Sequence, residues 1–187
     1  MNPYDNLKFI VDIEATCYEN PKQPDLNEII EIGIVLCDAD YNIIYEWSSL
    51  VKPKVNKNLS GFCKRLTRIT QEEIDIALDF VDVMKIFQSD FETKYGISTN
   101  ALIWCSWGDW DLKCLVNNCE RNSIQLPFGG HKNLRSVYVD KKNDGVNNKC
   151  GLREVYRKEN IGELPKHHRA LIDAVAAAKI AKLLHEE

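Results

Sequence analysis

No stretch of the 187-residue chain approaches the roughly 18 consecutive apolar residues that a membrane-spanning helix needs. No basic start is followed by an apolar run and a small-residue cleavage site either, so the expectation is a protein that neither enters a membrane nor is exported. Its seven cysteines, at 17, 37, 63, 105, 114, 119 and 150, are odd in number and contain no CxxC spacing. That argues against a disulfide framework and a thiolate zinc site, and for a reducing, cytoplasmic setting. Internal repeats and low-complexity tracts are absent. A formal net charge of -4 excludes a polyanion binder held by net attraction alone. Acidic residues are missing from one segment, however: residues 50–70 carry Lys52, Lys54, Lys57, Lys64, Arg65 and Arg68 with no Asp or Glu. Such a segment suits phosphates, although an ordinary solvated loop has the same composition. With 44% hydrophobic residues, the chain has material for one good core and not for two, which predicts one domain over 1–187.

Three β-branched or aromatic runs, residues 8–15, 29–37 and 43–51, are separated by turn-like residues such as Asp38 and Asp40 and predict three consecutive strands. The short link between the second and third predicts an antiparallel hairpin. The run TQEE at 70–73 is a capping box that opens a short helix. Asp79 heads a longer one reaching about residue 94, with Phe80, Val83, Met84, Phe87 and Phe91 on one face. Residues 101–105 are almost wholly apolar, which predicts a strand covered on both sides. Asp109 is expected to cap a helix from Trp110 by reaching the amide of Asp111 or Leu112. A fifth strand is expected over 133–138, a surface loop over 140–149, and helices over about 151–158 and 169–184. Strands followed by alternating helices and strands give an α/β domain on a mixed sheet.

Set in that frame are acids in apolar surroundings. Asp12 and Glu14, in FIVDIEAT, are two apart on a predicted strand, so their side chains share one face at about 7 Å between Cα atoms. A strand end facing water is the bland explanation. On a central strand, unpaired carboxylates cost several kcal/mol, and a divalent metal turns that cost into binding energy. Asp111, in WGDWD, falls in the first turn of the helix after the apolar strand, at the carboxyl end where open α/β sheets build sites. A helix-cap charge would look the same. Asp173 shares a helical stripe with Ala177, Ile180, Ala181 and Leu184, where a sheet-packed helix expects an apolar side chain. Either a metal or a salt bridge to a buried Arg or Lys accounts for it. His168 precedes Asp173 by five residues, about 500° around a helix, so it belongs to the segment leading in, and its titration range suits proton transfer near neutrality. Together the five read as a metal-dependent phosphodiesterase. Ala15 and Thr16 directly follow the strand acids, so their amides and the Thr16 hydroxyl are candidates for binding a terminal sugar, its 2′-OH included. Trp107 and Phe62 are the aromatic candidates for stacking, with Trp47, Trp104 and Trp110 assigned to the core.

The segments FIVDIEAT, IIEIGIV, GFCKRLTRITQEEID, CSWGDWDLKCL and HHRALIDA resemble the exonuclease domain of the DEDDh superfamily, and within it the Eri1-type 3′-5′ exoribonucleases. The resemblance spans nearly the whole chain and rests on a specific spacing: DxE near the start, WD after the fourth strand, and HxxxxD near the end. It implies an α/β, ribonuclease H-like fold, a five-stranded mixed β-sheet flanked by α-helices. It also implies two Mg²⁺ or Mn²⁺ ions held by Asp12, Glu14, Asp111 and Asp173, with His168 as general base. Arg169 stands where the tyrosine subclass carries its Tyr, which points to the histidine subclass. By the same resemblance, Leu66 and Thr67 wedge against the terminal base.

The implied activity is stepwise removal of nucleoside 5′-monophosphates from 3′ ends of single-stranded RNA, by a monomer. Eri1 itself carries an N-terminal nucleic-acid-binding module with no counterpart in these segments, so its RNA targets are not carried over. Bacterial proofreading subunits and oligoribonucleases share the carboxylates, which leaves a 3′-5′ DNA exonuclease open. A catalytically silent RNA-binding protein is the remaining alternative. Residues 61–70 are what favour the Eri1-type branch.

Overall fold

The computed structural model of the chain describes residues 6–19, 27–142, 150–166 and 168–186. Alternation along β1 (Lys8–Ala15) sends Phe9, Val11, Ile13 and Ala15 into one apolar cluster and Ile10 into a second on the opposite face, the face that Asp12 and Glu14 share. β2 (Ile29–Cys37), buried along its whole length, pairs antiparallel with β1 on one side and with β3 (Ile43–Leu50) on the other, as the hairpin expectation requires. β4 (Ile103–Ser106) runs parallel to β1, and β5 (His131–Asn133) parallel to β4. The result is a five-stranded mixed sheet in the order β3-β2-β1-β4-β5, with the acidic strand at its centre.

Two short helices follow β3. α1 (Gly61–Thr67), α2 (Gln71–Asp75) and the link between them pack Cys63, Ile74 and Ile69 on Ile30 in a small cluster of their own. Thr70 and Glu73 close the predicted capping box, at 3.2 and 2.8 Å. α3 (Phe80–Tyr95) starts at Asp79, whose carboxylate accepts from the Asp82 N–H at 3.1 Å, and its predicted apolar face is the buried one. With α4 (Trp110–Arg121) it covers one side of the sheet. On the other side lie α5 (Leu134–Lys142), α6 (Leu152–Lys158) and the alanine-rich α7 (Ala170–Glu186). No helix among the described residues is long and apolar enough to cross a membrane.

Several local expectations are corrected. The fifth strand, expected over 133–138, is instead His131–Asn133, and from Leu134 the chain is helical. Leu134 and Tyr138, one helical turn apart, both turn into the core, and this packing overrides the strand preference of Val137 and Tyr138. Asp109 makes no cap through its side chain. After Gly108, at φ 102°, its backbone is already near-helical, and its carboxylate accepts from Asn133 Nδ2 at 2.9 Å. The apolar run at 101–105 opens in a 3-10 turn, Thr99–Ala101, and becomes strand at Ile103. Of the loop expected over 140–149, residues 140–142 end α5 and 143–149 lie outside the described residues.

One glycine decides how α7 meets the sheet. A Cβ at Gly33 would lie 2.2 Å from the Ala170 carbonyl carbon, so only glycine lets the first turn of α7 rest on β2. Gly33 is the ladder partner of Asp12, and the start of α7 is thereby delivered beside the acidic strand.

Candidate active site

Ile13 lies beyond the last β1–β4 pair and donates its N–H to Asp111 Oδ1 at 3.2 Å. That bond draws the first turn of α4 against β1. From the opposite face α7 supplies Asp173, only 3% exposed, in its own first turn. His168 stands two residues ahead of α7, as its phase relative to Asp173 required. Its N–H donates to the Leu66 carbonyl at 2.9 Å, and its Nδ1 lies 3.5 Å from Asp173 Oδ2.

All five residues line one cavity of about 410 Å³, a volume suited to a small ligand. Ala15, Leu66 and Trp107 are also on its walls, whereas Thr16, Thr67 and Phe62 are not. The Thr16 hydroxyl is buried and accepts from the Glu28 N–H at 2.9 Å, and the Thr67 hydroxyl bridges the Cys63 carbonyl and the Ile69 N–H. Both hydroxyls thus have partners within the fold and lie off the cavity wall. Trp107 is 9% exposed, and its Nε1 donates to the Cys150 carbonyl at 3.1 Å. The open aromatic surface belongs instead to Trp110, 48% exposed on the same cavity and not part of the core to which its sequence context assigned it. The missed signal was its position: when Asp111 turns inward, its neighbour stands about 100° around the helix, at the rim.

Glu31 is a further buried acid that the sequence alone did not single out. It stands opposite Glu14 in the β1–β2 ladder. Arg169 donates to it from Nε at 2.9 Å and Nη2 at 2.7 Å, and the Ala170 N–H adds a bond at 2.9 Å that caps α7. Glu31 is thus paired, while its neighbours repel one another. Burial, then the charges of Asp111, Glu14 and Asp173, raises Asp12 well above the usual carboxylate range. Burial, then Asp173, Glu31 and Asp111, pushes Glu14 up to about 8. Asp111 rises to about 7 through burial, held back by the hydrogen bond from Ile13. Carboxylates that disfavour their own ionisation in this way form an oxygen-rich donor set that a hard divalent cation would satisfy. Glu14, His168 and Asp173 each offer one ligand atom, all within 4.8 Å of one another. The salt-bridge explanation of Asp173 also has substance, because Arg153 Nη2 donates to its two oxygens at 2.6 and 2.8 Å.

Against known proteins, the exonuclease family model matches residues 9–181. The chain belongs to this exonuclease family. It is similar to the probable 3′-5′ exonuclease KapD of Bacillus subtilis, 33% identical over 186 residues, which cover 97% of this chain and 86% of that one. Similarity to the human 3′-5′ exoribonuclease 1 is 32% over 140 residues, 69% of this chain but 38% of the human protein. The nuclease domain of 3′hExo, a DEDDh family member bound to rAMP, superposes with a TM-score of 0.84 at 28% identity, covering 97% of this chain and 92% of that one. These likenesses identify a hydrolytic DEDDh 3′-5′ exonuclease of the Eri1-like branch with the ribonuclease H-like fold. Exonucleases of this family depend on divalent metal ions, and the acidic donor set at the cavity fits that requirement.

Proposed function

We propose that this exonuclease acts on RNA, removing nucleoside 5′-monophosphates one at a time from the 3′ end of a single strand. In this reading it works as a single-domain monomer over 1–187, in the cytoplasm. The observation that carries it is the convergence of Asp12 and Glu14 from β1, Asp111 from α4, and His168 and Asp173 from the start of α7 on one cavity. The name of the human relative, an exoribonuclease, and the rAMP bound to 3′hExo support RNA as the polymer. The preference rests on them, and the buried Thr16 hydroxyl, off the cavity wall, adds no support to it. Seven free cysteines support a reducing compartment.

Asp12, Glu14, Asp111 and Asp173 would hold two Mg²⁺ or Mn²⁺ ions. Bound there, the ions would activate the attacking water and offset the charge that develops on the phosphate and on the leaving 3′-oxygen. His168 would take the proton of that water: with Nδ1 turned to Asp173, Nε2 is the accepting atom. Trp110 would stack on the terminal base and Leu66 would wedge against it, while the Ala15 backbone meets the sugar. The exposed Lys57, Lys64, Arg65 and Arg68, on and around α1, would follow the phosphates of the incoming strand.

End-labelled single-stranded RNA and DNA of matched sequence, incubated with purified protein and Mg²⁺ or Mn²⁺, supply the test. Stepwise shortening of RNA, faster than of DNA and absent in Asp12→Ala, is the expected result. Equal or faster removal of nucleotides from DNA would overturn the RNA preference. Cleavage of circular RNA would overturn exonucleolytic action itself.

A further inference from the structure

Among the described residues, the acidic cavity has a single permanently charged cation on its wall, Arg153 of α6. Its Nη2 lies within 2.6 and 2.8 Å of the two oxygens of Asp173, which puts one nitrogen in the fork of the carboxylate, where a chelated cation would sit. Its Nη1 donates to the Pro165 carbonyl, on the segment leading to His168. The guanidinium is therefore held from two sides, between α7 and the chain that enters it. A divalent ion taken by Asp173 and the Arg153 guanidinium need the same lone pairs, so each weakens the hold of the other.

We propose that Arg153 is an internal counter-ion of Asp173 that a divalent ion displaces, and that the displaced guanidinium binds the phosphate of the nucleotide in the cavity. The inference rests on the metal-dependent reading of the site and adds to it a residue that competes with the metal and then serves the substrate. Charge supports the second step. A phosphodiester entering a cavity walled by Asp12, Glu14, Asp111 and Asp173 meets repulsion. Arg153 is the one Arg or Lys among the lining residues that can answer it besides the metals, with a planar fork suited to phosphate. The side chain is 20% exposed and already lines the cavity, so it has an open side from which to reach a phosphate.

Calorimetric titration with Mn²⁺, without nucleic acid, tests the first step on the parent, Arg153→Ala and Arg153→Gln. The Gln variant, though shorter, keeps an uncharged hydrogen-bonding side chain should the Ala variant melt. Loss of an internal competitor is expected to tighten Mn²⁺ binding by at least about fivefold, the lower end of ordinary coupling. A residue that merely positions Asp173 would give the opposite sign, so unchanged or weaker Mn²⁺ binding overturns the competition. In the Mn²⁺-saturated proteins, titration with adenosine 5′-monophosphate reads the second step, and the Gln variant is expected to bind it at least about fivefold more weakly. Equal affinity overturns the phosphate role. A parent protein that binds no Mn²⁺ would instead overturn the metal reading, and this inference with it.

Discussion

The backbone of Ala170 rests on the bare Cα of Gly33, closer than any side chain at 33 would allow. This contact sets the height of α7 over the sheet, and with it the reach of His168 and Asp173 toward β1. Gly33→Ala must push α7 outward or bend β2. Overpacking of this kind costs about 1–3 kcal/mol, occasionally more. A lowered melting temperature together with a fall in exonuclease rate is expected. A variant that melts and cleaves like the parent would show that the helix start is not held by this contact.

His168→Ala is expected to slow single-turnover cleavage by roughly 10² to 10⁴, the usual contribution of a positioned proton acceptor. Because His168 Nδ1 is only 3.5 Å from Asp173 Oδ2, the imidazole also stands where a ligand would. Calorimetry separates the roles. Metal affinity should be nearly unchanged in the variant, and its collapse would reassign His168 as a ligand.

Glu14 makes the stability of the chelator-treated protein fall as pH rises. Its folded-state value of about 8 lies above the ordinary 4.5. The folded protein therefore binds the proton more tightly than the unfolded chain, and the associated stability is present below about pH 4.5 and lost as pH climbs through 8. His131, lowered by burial, works in the opposite direction below its usual 6.5 and so blunts the acid end of the window. In EDTA the melting temperature should drop between pH 6.5 and 8.5, and Glu14→Gln should reduce that slope, leaving the share of Asp12 and Asp111, which are raised in the same direction. Differential scanning fluorimetry across the range reads it directly.

Arg169→Ala strands Glu31, which is buried and bonded to the α7 amide end. The expected loss is about 2–3 kcal/mol, less than for a fully buried pair because a third of the Arg169 side chain is exposed. Replacing both residues, Glu31→Gln with Arg169→Ala, should recover part of it. Chemical denaturation of the single and double variants measures the difference, and equal losses in both would remove the stranded charge as the cause.

Much of this was legible in the sequence because it is periodic or local. The apolar runs of β1 and β2, the phenylalanine stripe of α3, the TQEE box and the out-of-place Asp173 each announce themselves within a few residues. The five candidate residues carry such signals, and the fold brings them to one cavity. What escaped is long-range or short. β5 is three polar residues with no alternation to read, and α1 is too brief to show an amphipathic period. The pairing of Glu31 with Arg169 spans 138 positions, and nothing near Arg153 points to Asp173. Thr16 followed the acidic strand closely enough to look functional, yet its hydroxyl is taken up by the Glu28 amide across the start of the hairpin.

The cavity draws on the first strand and the last helix, with α4 between them in sequence. No fragment that lacks β1 or the start of α7 contains it. A form without α7 would leave Asp12, Glu14 and Asp111 without Asp173, and Arg153 of α6 without the carboxylate that holds it. Hydrolysis is therefore a report that α7 has docked, and the donor set stays incomplete until that helix has closed on Gly33.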